Sequence, residues 1–122
     1  MTTDEQAPCR ITSENVGAAV VVHVTGELDR VTADEISDQL GEVLHPPSRV
    51  VLDLTAVGFL GACGIRLLLE HQERCARDGG AFAVVANTPV VLRPLQVLEL
   101  EDVLNVRPSL PEALGRQEVP LA

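Results

Sequence analysis

Hydrophobic positions along the chain recur with two different periods, and the switches between them mark out the elements. Ala18 to Thr25 is a β-branched run interrupted only by His23, and it reads as a strand. Arg10 to Asn15 is a weaker strand upstream, and the short turn Asn15-Val16-Gly17 predicts a hairpin between the two. After Gly26-Glu27-Leu28-Asp29 the period lengthens. Val31, Ile36, Leu40, Val43 and Leu44 form an apolar helical face, and Asp34, Glu35, Asp38 and Glu42 make the opposite face acidic. The expected helix runs from about Thr32 to Leu44, with Thr32 and Glu35 as a capping box and Pro46-Pro47 as the stop.

Arg49 to Leu54 is short and almost wholly apolar, which suits a buried strand better than a helix. It leads to a small-residue turn, Gly61-Ala62-Cys63-Gly64. Beyond that turn Ile65, Leu68, Leu69 and Gln72 fall at helical spacing. This second helix starts at Ala62 or Cys63, reaches Arg77, and stops at Asp78-Gly79-Gly80. Arg74 and Arg77 meet the negative end of its dipole. Ala81 to Ala86 is another buried strand. Thr88 is the expected cap of a third helix opened by Pro89, reaching about Leu98 and kinked or shortened at Pro94. A short strand near Val103 to Arg107 and a short helix from Pro111 to Gly115 complete the order.

The alternation predicts an α/β domain with a mixed, largely parallel sheet of four to five strands and about four helices. One domain is expected over residues 10–116, with flexible tails at 1–9 and 117–122. Its core must be aliphatic, because Phe59 and Phe82 are the only aromatic residues other than histidine. Stacking platforms for single-stranded nucleic acid are absent for the same reason. A net charge of −9 opposes phosphate backbones and anionic membranes, and suits a basic patch on a protein partner. Met1 to Pro8 is polar and acidic, and no apolar run approaches a spanning helix, so a cytoplasmic protein is expected. Cys9, Cys63 and Cys75 imply no disulfide framework, and with His23, His45 and His71 they show no metal-ligand spacing. Neither a metal nor a cofactor is expected.

Catalytic signatures are missing. Gly58, Gly61 and Gly64 recur every third residue but lack the Lys and Ser/Thr of a phosphate-binding loop. No serine elbow, H-E-x-x-H or pair of catalytic carboxylates is present. The strand-to-helix turn is the expected site, because it exposes the unpaired N–H groups of a helix N-terminus. His23 reads as a packed or edge side chain, Asp53 as a strand-end acid and Glu27 as an exposed one.

Three patterns, in this order, resemble the STAS domain, specifically the single-domain bacterial anti-sigma factor antagonist. They are Gly26-Glu27-Leu28-Asp29 before a capped helix, the run Val50 to Leu60 with its small turn and Gly64, and Pro108 to Leu114 near the C-terminus. The resemblance covers about Ala18 to Gly115. It implies a non-catalytic regulatory domain that binds an anti-sigma factor, often a serine kinase, and thereby frees a sigma factor. It also implies that phosphorylation at the start of the second helix ends that binding. The family turn is typically Asp-Ser-(Ser or Thr)-Gly after an aromatic and an aliphatic residue. Here Phe59-Leu60 precede Gly61, Ala62, Cys63 and Gly64, so the acid and both hydroxyls are replaced.

The expected partner-binding and switch residues are therefore Gly61, Ala62, Cys63 and Gly64, with Glu27 and Asp29 beside them. Asp29 equally suits a helix start. Neither Ala62 nor Cys63 can form a serine phosphoester, so an antagonist outside kinase control is expected. Redox control at Cys63 is a second expectation, since a thiol at a helix N-terminus can gain reactivity; its alternative is a small buried thiol. Cys63 and Cys75 are about 18 Å apart along one helix, too far for a disulfide. Two other readings stay open: a STAS-like subunit of a transport or sensory complex, and a thiol-dependent enzyme using Cys63 with no base assigned.

Overall fold

The computed structural model describes residues 9–43 and 49–115. The expected tails, Leu44 and Pro46-Pro47 lie outside the described residues, apart from Cys9. The element order is β1 (Cys9–Val16), β2 (Ala19–Leu28), α1 (Arg30–Val43), β3 (Arg49–Leu60), α2 (Ala62–Arg77), β4 (Ala81–Val85), α3 (Pro89–Val97), β5 (Val106–Arg107) and α4 (Leu110–Ala113). The five strands form one sheet in sequence order, with β1 antiparallel to β2 and the remaining neighbours parallel. Cys9, expected in the tail, is the first residue of β1 and is buried.

The apolar runs of β2, β3 and β4 are continuous because both faces of these strands are covered. On one face Val22, Val24, Leu52, Leu54 and Val84 pack with Ile36 and Leu40 of α1, Leu68 of α2 and Leu95 of α3. On the other, Val21, Val51, Ala83 and Val85 lie under Ala113 of α4. The α2 helix ends as expected at the Asp78-Gly79-Gly80 turn. There Gly79 takes a left-handed φ of 81°, and the N–H groups of Gly79 and Gly80 return to the carbonyls of Ala76 and Cys75.

Several boundaries differ from expectation for identifiable reasons. The β3 strand continues six residues past Leu54, through two register shifts against β2. Pairing moves from His23–Asp53 to Thr25–Ala56, and from Gly26–Val57 to Glu27–Phe59. Each shift inserts an extra β3 residue, and such bulges break the alternation by which a strand is recognised in sequence. The α1 helix begins at Arg30, two residues early, because Asp29 and not Thr32 caps it. Val31, assigned to its apolar face, is 78 % exposed. Thr88 does occupy the cap position of α3, but its hydroxyl makes no capping bond and is buried without a partner. Pro94 sits inside the nine-residue α3. The last strand is reduced to two residues, since 101–105 form turns.

Candidate functional site

The two bulges carry β3 to the level of the end of β2, and α2 starts there. Leu28 pairs with Leu60, and the Gly61 N–H donates to the Leu28 carbonyl at 2.9 Å. The Ile65 N–H then donates to the Gly61 carbonyl at 3.0 Å, closing the first turn of α2. Gly61 is the cap residue and offers no side chain to the first-turn N–H groups. Ala62 is exposed, whereas Gly64 is buried against the end of β2. A Cβ at Gly64 would stand 2.8 Å from the Leu28 carbonyl oxygen and 2.9 Å from Leu60 Cδ1. Gly64 therefore fixes how closely the helix approaches the sheet.

The rim of this turn is partly apolar. Phe59 is 46 % exposed, and its ring lies over Gly61, 3.0 Å from where a Cβ would stand. Glu27, its register partner on β2, is exposed. Asp29 is committed to α1: one carboxylate oxygen accepts from the N–H groups of Val31 and Thr32, each at 3.0 Å. Thr32 reciprocates, accepting from the Asp29 N–H at 3.1 Å and donating to the Glu27 carbonyl at 2.6 Å. The capping box thus exists three residues upstream of its expected place. The N–H of Thr32, with help from its hydroxyl and from Val31, holds the Asp29 carboxyl below its usual range. Thus the structure brings Glu27, Asp29, Phe59 and Gly61–Gly64 to one end of the sheet. Phe59 and Val31 carry its exposed apolar surface; strict helical periodicity had hidden Val31 among core positions.

Cys63 is half-buried, packs against the core and borders a groove of about 200 Å3 between α1 and α2, with Arg30, Asp34, Arg66 and Glu70. Among the described residues no imidazole is placed to serve it as a base. His71 is eight residues along the same helix, about 12 Å, and its Nε2 is 3.1 Å from the Ser37 hydroxyl. Burial, with Arg74 nearby, holds the His71 pKa below the usual imidazole value. His23 lies on the opposite face of the sheet, between Glu14 and Asp53. None of the three cysteines is in a disulfide. Burial, with Asp29 and Glu35 nearby, pushes the Cys9 thiol up to about 11. Among the described residues no cluster of His, Cys, Asp and Glu is arranged to hold a metal, and no helix is long and apolar enough to cross a membrane.

Residues 10–113 match the STAS domain family. The anti-sigma-F factor antagonist RsfB of Mycobacterium tuberculosis is 31% identical over 105 residues, which are 85% of this chain and 85% of that protein. The crystal structure of an anti-sigma factor antagonist from Mycobacterium paratuberculosis superposes with a TM-score of 0.81 at 33% identity, covering 88% of this chain and 92% of that one. The unphosphorylated form of the anti-sigma factor antagonist SpoIIAA shares the fold, with a TM-score of 0.72 at 18% identity over 93% of this chain and 100% of that one. The fold, the strand-to-helix turn and the extent of these matches lead to one conclusion: the chain belongs to the STAS domain family.

Proposed function

We propose that this chain is an anti-sigma factor antagonist that docks through the end of β3 and the start of α2, and that this turn carries no phosphate switch. The docking surface comprises Glu27, Asp29, Phe59 and the turn Gly61, Ala62, Cys63 and Gly64. One observation carries the reading: the exposed start of α2 has an apolar neighbour in Phe59 and no hydroxyl anywhere from Phe59 to Ile65. Thr55, the nearest hydroxyl on the strand, is engaged by the Asp53 carboxylate at 2.8 Å. A phosphate here would add about −1.5 to −2 charges; without an acceptor, docking is insensitive to a serine kinase. The relatives that carry the antagonist name support the partner class.

Incubation with the anti-sigma factor and ATP, followed by mass spectrometry, tests the second half of the proposal. The peptide holding Phe59 to Ile65 remains unmodified; phosphate on any of its residues overturns the proposal. Cys63 is assigned to packing in the seam between α1 and α2, because it is half-buried beside the core. Equal partner affinity with and without oxidant, in the wild type and in Cys63→Ser, is expected; oxidant-dependent binding lost in Cys63→Ser would assign the redox role instead. Co-purification from native cells separates an anti-sigma partner from a transport or sensory assembly.

A further inference from the structure

A polar cluster spans three strands on the half of the sheet that α4 leaves open. His23 of β2 has Nδ1 2.7 Å from an Asp53 oxygen on β3 and Nε2 2.8 Å from a Glu14 oxygen on β1. The other Asp53 oxygen accepts from the Thr55 N–H at 3.0 Å and the Thr55 hydroxyl at 2.8 Å. The docking turn does not use any of these residues.

Proton counting makes the arrangement conditional. A carboxylate only accepts, so both short contacts require both ring nitrogens to donate, and only the imidazolium has two N–H groups. A neutral imidazole has one. Asp53 is the better buried and more firmly held carboxylate, its side chain 17 % exposed against 54 % for Glu14. The remaining N–H therefore stays with Asp53, and the bond to Glu14 is lost. Glu14 belongs to β1, the edge strand, which is also held by its backbone ladder with β2 and, at its start, by Cys9 in the core and Ile11 packed against it.

We propose that Glu14, His23 and Asp53 form a proton-dependent latch that tightens the edge strand β1 on the sheet and loosens it as His23 deprotonates. Among the described residues, other groups on this face do not substitute. Thr12 stands across from His23, Arg10 lies further along β1, Arg49 of β3 is bound to the Leu114 carbonyl at 2.9 Å, and Glu112 of α4 is exposed. The Glu14 bond, against an opposing effect of burial and with help from Asp53, raises the His23 pKa above the usual imidazole value of about 6.5. A raised histidine pKa means that the latch is complete below about pH 6.5 and is lost as the pH climbs through the higher folded value.

Native-state hydrogen exchange between about pH 5.5 and 9, corrected for intrinsic rates, tests the latch on the full chain. Protection of β1 amides, relative to those of β4, falls roughly two- to fivefold as His23 loses its proton, the scale of one exposed ion pair. In Glu14→Gln the pH dependence disappears while the β4 amides keep their protection. Constant relative protection of β1, or a wild-type pH dependence retained in Glu14→Gln, overturns the proposal.

Discussion

Replacing Gly64 with alanine probes the packing that positions the proposed docking turn. The new methyl group would meet the Leu28 carbonyl oxygen at 2.8 Å, Leu28 Cβ at 2.9 Å and Leu60 Cδ1 at 2.9 Å. Ordinary contacts of this kind lie at roughly 3.4–4 Å, so α2 must lift by about half an ångström or more from the end of β2. The carbonyl cannot swing aside, because it also accepts the Gly61 N–H. Overpacking of this type costs about 1–3 kcal/mol, and the better helix propensity of alanine offsets no more than about 1 kcal/mol. The central values leave a net loss of about 1 kcal/mol, a fall in Tm of about 3–6 °C for a domain of this size. Gly41 of α1 is the internal control: no described residue lies within 4 Å of its would-be Cβ. Gly41→Ala should gain about 0.5–1 kcal/mol from propensity alone. Paired thermal and urea unfolding followed by circular dichroism measures both. Equal or greater stability of Gly64→Ala relative to wild type would refute the close-approach reasoning.

Three further outcomes are expected. Thr32→Val removes the hydroxyl that joins the Glu27 carbonyl to the Asp29 N–H, leaving both without that partner at a buried position, so urea unfolding should report a loss of about 1–3 kcal/mol. The two described histidines should titrate on opposite sides of the ordinary value in NMR: His23 above it, and His71, kept neutral by burial, below it. Their stability effects then have opposite signs. The His71 contribution is present above about pH 6.5 and is lost as pH falls through its lower folded pKa, whereas that of His23 is lost as pH rises. Phe59→Ala should cost only about 1–2 kcal/mol of stability, because the residue is 46 % exposed, while weakening partner binding measured by calorimetry by roughly tenfold.

The sheet and three longer helices were legible because their apolar spacing is regular and their ends carry strong signals, such as Asp78-Gly79-Gly80 after α2. The turn 61–64 was legible as well, since small residues between a buried strand and an amphipathic helix mark a junction whatever the register. The second half of β3 was not, because bulges at two points destroy the period of two on which strand recognition depends. The capping box slipped by three residues for a related reason. Asp29 and Thr32 are both competent caps, and the bonds from Thr32 to Glu27 and Asp29 decide between them only once β2 ends at Leu28. The link between Glu14, His23 and Asp53 depends on two strand registers at once, and local sequence carries neither.

The most direct test of docking through the turn is the affinity of Ala62→Glu for the anti-sigma factor, measured by calorimetry beside the wild type. Ala62 is exposed in the first turn of α2, where a carboxylate favours the helix dipole, so the variant keeps its fold and its Tm. Its charge and bulk stand on the proposed docking surface. The proposed docking predicts at least a tenfold weaker complex, about 1.4 kcal/mol or more, with unchanged unfolding; wild-type affinity in Ala62→Glu would contradict it.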